Sequence, residues 1–513
     1  MATESTHSNK RIAKNTLMLY FRMLLTLAVS LYASRIVLQV LGASDYGLNN
    51  VVAGFVTLFT FVNSTLASGT QRFLTYSIGV KDELKLKKVF ATALSLHAFF
   101  ALLFFIVLET IGLWFLHNKL SIPAGRETAA FWVFQFAIIS TMAQIIQVPF
   151  NAVLASREKF NIYAYMSIYD ATMKLLIVFL IQIGNFDKLI FYSALFTAVS
   201  LSSTFIYNIY CRKHFDECTT PMRQNFDKNL CKEIGLFSGW NIMGCTAAIA
   251  SNQGVNTLMN MFLGTLINAA RGISIQITSV LNQLVNNFFT AVNPQITKLF
   301  AEKKYDEMLH LAMNASKFGV ALMLLISVPL VVEMNYVLTL WLGKFPSHTL
   351  FFTKCAVVQA LIMALSRPLV AILHANGKMK LPNIFSGTAL LLILPITYVM
   401  LKQKVDIDIV VIVNIIPWIC QVIFSIFLVR HLTGINSFQY FPDVIRKLII
   451  VASFSFLAAF FIHFSMEESF IRLISVTAAS SILLAGCSYL LLFDKTYRVK
   501  IVHFIKEKMR RTK

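Results

Sequence analysis

Fourteen stretches of the chain stay apolar for about the 20 residues that a helix needs to cross the hydrocarbon core of a bilayer. They run Thr16 to Leu41, Gly47 to Ile78, Val89 to Leu116, Ala129 to Leu154, Ile162 to Ile183, Leu189 to Tyr210, Ile234 to Phe262, Leu266 to Thr297, Phe318 to Leu342, Leu350 to Leu373, Ile384 to Leu401, Ile409 to Val429, Leu448 to Phe464 and Leu473 to Phe493. Short polar links join them. The pattern predicts an all-α polytopic membrane protein of about 14 transmembrane helices. MATESTHSNKRIAKN leads directly into a full-length span, so no cleavable signal peptide is expected.

Polar positions inside these stretches carry the rest of the reading. In ARGISIQITSVLNQLVNNFFTAVNPQ, from Ala270, a single helical stripe collects Asn268, Arg271, Ser279, Asn282, Asn286, Thr290 and Asn293. The preceding span adds Asn252, Asn256 and Asn260 at four-residue spacing. Amides in membranes serve either as weak glue between helices, at about 0.6 kcal/mol each, or as the lining of a wet cavity. Two neighbouring stripes favour the lining. Neutral donors and acceptors with an occasional arginine suit a polyhydroxylated, anionic ligand.

Composition agrees with the pattern: 57% of the 513 residues are hydrophobic and 13% are charged. The loops on the side shared by both termini hold 31 of the 45 Lys and Arg, which places the termini in the cytoplasm. Topology thus accounts for the net charge of +21. KEKMRRTK at the end suits anionic membrane lipids, and no soluble segment is long enough to read nucleic acid.

Arg22, Arg35, Arg72, Lys174, Arg271 and Arg367 are basic residues within the spans. Each costs about 2.5 to 3.5 kcal/mol at mid-bilayer unless it faces water or a partner. Arg22, Arg35 and Arg72 stand near helix ends and either snorkel or serve a lumen. Lys174 follows Asp170 by four residues, which puts ammonium and carboxylate on one face as an expected pair. That pair either seals helix packing or couples an ion or proton to movement.

An internal repeat is also legible. VLGASDYGL, containing Gly42, matches FLGTLINAA, containing Gly264; ETIGLWFLHNK with Glu109 matches EMNYVLTLWLGK with Glu333; PFNAVLASREK from Pro149 matches PLVAILHANGK from Pro368. The expected organisation is a six-helix bundle over 1–210, a cytoplasmic connector over 211–231, a second six-helix bundle over 232–430, and two further helices with a basic tail over 431–513. Six crossings per repeat make the halves parallel in topology and pseudo-symmetric about the membrane normal. Cys211, His214, Cys218 and Cys231 of the connector fit no standard zinc spacing and are expected as free thiols, with no metal or other cofactor.

RIAKNTLMLYFRMLLTLAVSLYASRIVLQVLGASDYGLNNVVAGF, then TQRFLTYSIG, and the P-x-x-A-x-L element of both halves resemble the multidrug/oligosaccharidyl-lipid/polysaccharide (MOP) exporter superfamily. Within it the chain is similar to Wzx-type lipid-linked oligosaccharide flippases, over its whole length. The resemblance implies two bundles around a cationic lumen that alternates between cytosol and periplasm in a bacterial inner membrane. It implies passage of a polyprenyl-diphosphate-linked glycan for surface polysaccharide biosynthesis, with other polysaccharide-assembly proteins as partners. Arg22, Arg35 and Arg72, with Arg271 and Arg367, take the positions of the basic residues that such proteins use for diphosphate and acidic sugars. Asn282 and Asn286 join them from the stripe, and Asp170 as a coupling site rests on its position.

Three rival functions differ in what they require. A drug or cation antiporter calls for an acidic, aromatic cavity, whereas here these embedded basic residues outnumber Asp170, Glu109 and Glu333. A lipid II-type flippase fits the same layout. A membrane glycan polymerase or ligase needs a sizeable outer loop bearing catalytic groups, and no outer loop exceeds about a dozen residues. Walker A, HExxH and nucleophile-elbow patterns are missing from the sequence, so the chain is not expected to be an enzyme.

Overall fold

The computed structural model describes residues 2–157, 159–183, 186–219, 221–376 and 380–492. All regular structure within them is helical. The N-terminal helices are α1 (Ala2–Thr57), α2 (Phe61–Gly79), α3 (Glu83–Val107), α4 (Leu113–Asn118), α5 (Glu127–Ser156), α6 (Phe160–Leu180) and α7 (Lys188–His214). After the short α8 (Met222–Asn225) come α9 (Lys228–Leu263), α10 (Thr265–Ala301), α11 (Tyr305–Val332), α12 (Met334–Leu342), α13 (Thr349–Asn376), α14 (Lys380–Lys402), α15 (Ile407–Val413) and α16 (Ile416–Thr433). The C-terminal pair is α17 (Lys447–Ser465) and α18 (Phe470–Cys487).

Each of the fourteen expected spans coincides with helix, the last as far as Leu492. Among the described residues, eleven helices are long and apolar enough to cross a membrane. Side-chain caps start several of them: Asp82, Asp187, Asp227 and Ser469 each accept hydrogen bonds from backbone N–H groups of the first turn. Helices α9 and α10, at 36 and 37 residues, outrun the bilayer core. Four expected spans are interrupted instead: by a 3₁₀ turn over Leu58–Thr60 between α1 and α2, by a π-turn over Leu108–Gly112 between α3 and α4, by Glu333 between α11 and α12, and by Asn414 and Ile415 between α15 and α16.

The repeat is visible in the backbone. Gly42 kinks α1 at φ 77°, ψ 165°, and Gly264 separates α9 from α10 at φ 81°, ψ −175°. Almost no residue but glycine adopts this conformation. The two segments that follow these glycines also touch: the Ser44 and Thr265 hydroxyls are 3.3 Å apart. A Cβ on Gly47 would lie 1.9 Å from the Thr265 carbonyl oxygen, so only glycine permits this approach. Pro149 and Pro368, the other repeat marks, sit inside α5 and α13.

Two compact units emerge, one of residues 1–272 with 391–402, the other of 273–390 with 403–513. Their limits differ from those of the repeat halves, because α9 and the start of α10 pack with the N-terminal helices. In the first unit, Leu74, Phe90, Phe150, Leu154, Met166 and Tyr207 form a core between α2, α3, α5, α6 and α7. Cys211 and Cys218 belong to it. A hydrogen bond with Cys211 and burial push the Cys218 thiol up, away from the thiolate a metal needs. Among the described residues no group of His, Cys, Asp and Glu is arranged to hold a metal ion. Loops of this unit are clasped by Arg126, which bonds Asp45 and Asp187 at 2.6 Å each. Burial works to raise the Asp187 carboxyl, but Arg126 and the backbone N–H groups it caps hold it below the usual carboxylate range.

In the second unit, Tyr440 is fully buried and its hydroxyl donates to the Leu365 carbonyl at 2.6 Å. The C-terminal helix pair is fastened by an ionic cluster. Glu333, 1% exposed, accepts from Arg472 of α18 and meets His463 of α17, each at 2.8 Å.

Candidate functional site: an arginine held by two amides

The polar stripe of α10 meets Arg367 of α13 within the second unit. Asn282 donates its amide N–H to the Thr278 carbonyl of its own helix, which aims its Oδ1 outward. Asn282 and Asn286 are one turn apart on one face, a spacing that a planar guanidinium can straddle. One terminal nitrogen of Arg367 donates to Asn286 Oδ1, the other to Asn282 Oδ1 at 3.4 Å. A guanidinium carries five N–H donors, so these contacts orient the group without exhausting it.

Arg367 and Asn286 border a cavity of about 550 Å³. Asn293, Ser366, His374, Trp418 and Gln421 are also on its wall, and none of its lining residues is acidic. A fixed cation, several amides and an indole face are complementary to phosphate or carboxylate joined to sugar: the arginine takes the anion, amides exchange hydrogen bonds with hydroxyls, and the ring covers apolar C–H faces. Of the residues singled out from sequence, Arg367, Asn282 and Asn286 are thus brought together.

The others stand elsewhere. Arg271 belongs to the first unit, where a terminal nitrogen bonds the Asn252 carbonyl and side chain at 3.3 Å; its Nε is buried without a hydrogen-bond partner. Arg35 is half-buried and Arg72 exposed. The side chain of Arg22 lies outside the described residues. The expected Asp170–Lys174 pair does not form. Asp170 instead accepts a hydrogen bond from Ser203 of α7 at 2.8 Å, and among the described residues no ion pair joins it to Lys174. A neighbouring helix offers a short, well-aligned hydroxyl, whereas a four-residue pair on a half-exposed face gains little.

The amide stripes also divide. Asn268 is fully buried and donates to the Asn256 carbonyl and side chain at 2.7 and 2.8 Å. Asn260, fully buried too, exchanges hydrogen bonds with both backbone groups of Ser121. For these residues the glue reading holds and the lining reading is corrected. His374, Trp418 and Gln421 were not singled out from sequence. His374 directly follows the P-x-x-A-x-L element that begins at Pro368, and that placement is the one signal that pointed to it.

A scan against family models finds no match, and a search of curated proteins finds none either. Solved structures do match. The lipid II flippase MurJ, in an inward closed conformation, superposes with a TM-score of 0.68 at 14% identity, covering 95% of this chain and 99% of that one. The chain shares the fold of that structure. An inward-facing multidrug resistance MATE transporter of the MOP superfamily gives 0.61 at 13% identity, over 80% of this chain and 98% of its own. A MOP transporter from Pyrococcus furiosus, described as having a binding pocket of reverse polarity, gives 0.58 at 13%, over 82% and 95%. The MOP fold therefore accounts for the helical architecture, and the longer MurJ match takes in more of this chain than either transporter does.

Proposed function

We propose that the protein is a flippase that moves a polyprenyl-diphosphate-linked oligosaccharide from the cytoplasmic to the periplasmic face of a bacterial inner membrane by alternating access. The observation that carries this reading is the Arg367–Asn282–Asn286 constellation on a cavity without an acidic lining residue. Such a cavity repels no anion and offers no counter-charge to a cationic drug. Arg271, Arg35, Arg72 and Arg22 are kept as further contacts for diphosphate or acidic sugar. The polyprenyl tail stays among membrane lipids, and no catalytic step or cofactor is involved.

A lipid II-type headgroup is the second reading, favoured by the extent of the MurJ superposition. Depletion of the protein followed by identification of the lipid-linked glycan that builds up on the cytosolic face separates the two. Build-up of a repeat-unit glycan supports the first reading, build-up of lipid II the second, and an unchanged lipid-linked pool overturns both. Both termini are proposed to be cytoplasmic. A membrane-impermeant thiol reagent should then label Ser347→Cys in intact cells and spare Arg223→Cys and Arg510→Cys; labelling of the latter two inverts the orientation.

A further inference from the structure

The first unit holds its own cavity, of about 510 Å³, between α2, α5 and the start of α6. Asn63, Gln71, Gln144, Gln147 and Asn151 line it together with Tyr163, and no lining residue is charged. Its positions are those of the Arg367 cavity seen through the repeat. The register that aligns Pro149 with Pro368 carries Gln144, Gln147 and Asn151 onto Met363, Ser366 and Val370, all on the wall of the second cavity. The register of the glycines carries Gln71 onto Asn293 and, one residue further, Asn63 onto Asn286. Duplication has preserved the hollow while its chemistry has diverged: Val148 stands where Arg367 would be, and amides replace Ser366 and Val370.

Two features indicate what this hollow takes. Its polar side chains are amides and one phenol, and none of the lining residues carries a charge. The side-chain carbonyl of Gln147 is meanwhile fixed by the Thr204 hydroxyl at 3.0 Å, and Tyr163 donates to the Asn151 backbone carbonyl at 2.5 Å. The lining is thus held in place and consists of amide donors and acceptors without a charge. Sugar hydroxyls and acetamido groups match such amides, whereas a phosphate or carboxylate would meet no cation there. The volume lies within the roughly 300–1,000 Å³ of small-molecule sites.

We propose that this cavity is a binding site for uncharged sugar residues, distinct in specificity from the arginine cavity and independent of whether that cavity takes a diphosphate. The test uses the full chain in lipid nanodiscs and saturation-transfer NMR with methyl glycosides of glucose, N-acetylglucosamine and rhamnose. Magnetisation should pass to at least one of them, and an excess of inorganic diphosphate should not displace it. Binding should weaken about tenfold in Gln147→Leu and in Asn151→Leu, which keep the bulk and remove the amide. Should either fail to fold, as judged by its melting temperature, Asn63→Ser and Gln144→Ala take its place with the same expectation. Transfer to none of the three glycosides, transfer unchanged in the folded variants, or displacement by diphosphate would each overturn the proposal.

Discussion

The two ends of the α10 stripe share composition and spacing but differ in what they meet. Near the N-terminus of the helix, Asn268 is enclosed by Asn256, and every contact it makes is internal to the packing of α9 and α10. About four to five turns later, Asn282 and Asn286 present their carbonyl oxygens to Arg367 beside an open cavity. Helical periodicity establishes only that the amides share a face. Whether that face is glue or lining depends on the partner helix, a backbone-close neighbour at one end and a charged side chain beside empty space at the other.

The sharpest way to break this contrast is to remove the charge. Arg367→Ala should lower glycan export about 10- to 100-fold at normal membrane levels, the range expected when a charge-assisted contact is lost. Arg367→Lys should restore only a small part, because a point charge cannot span both amides. Export assays alongside immunoblots of membrane fractions decide the matter, and full export by the alanine variant removes Arg367 from the site.

At the other end of the stripe the effect should fall on stability. Asn268→Ala leaves the Asn256 side chain without its donor and should cost about 1–3 kcal/mol. A lowered melting temperature with unchanged transport per folded molecule is the expected result; lost transport at native stability would make Asn268 part of the pathway. Smaller still, Asn286→Ala should be mild, since Asn282 continues to orient Arg367, whereas Asn286→Leu should be clearly worse because an apolar branch enters the polar wall. Equal effects of the two would mean that volume at this position does not matter.

The smallest expected effect concerns Asp170 and Lys174. With Asp170 bonded to Ser203, Asp170→Asn and Lys174→Met should combine additively to within about 0.5 kcal/mol in a melting experiment. Substantial rescue in the double variant would restore the ion pair that the sequence spacing suggests.

Legibility followed the range of the signal. Span positions, the glycine breaks at 42 and 264 and the in-helix prolines were readable because they depend on local chain properties: apolar length and allowed φ/ψ. The Arg367–Asn286 meeting was half readable. Both residues stood out as polar groups in apolar helices, but nothing in a single sequence pairs side chains 81 positions apart. Asp170 shows the opposite error, a convincing local spacing overruled by a hydroxyl 33 residues away on another helix. Arg472 escaped notice because it caps the edge of the last span, where a cation looks like an ordinary interfacial residue. Lys317 escaped in the same way, yet it is buried in α11 and bonds Asn314. The paired cavities needed both kinds of information, since the repeat relates their residues but only the folded chain shows that a hollow occupies both positions.

The cluster around Glu333 has a consequence for biogenesis. Its arginine partner is encoded 139 residues downstream. At about 5–20 residues per second of synthesis, Arg472 leaves the ribosome on the order of ten seconds after Glu333. During that interval a carboxyl destined for almost complete burial has neither of its partners, Arg472 and His463. Helices α17 and α18 therefore act as a late-arriving clasp, and a nascent chain that stalls before Arg472 leaves the Glu333 carboxyl without the guanidinium it meets in the folded protein.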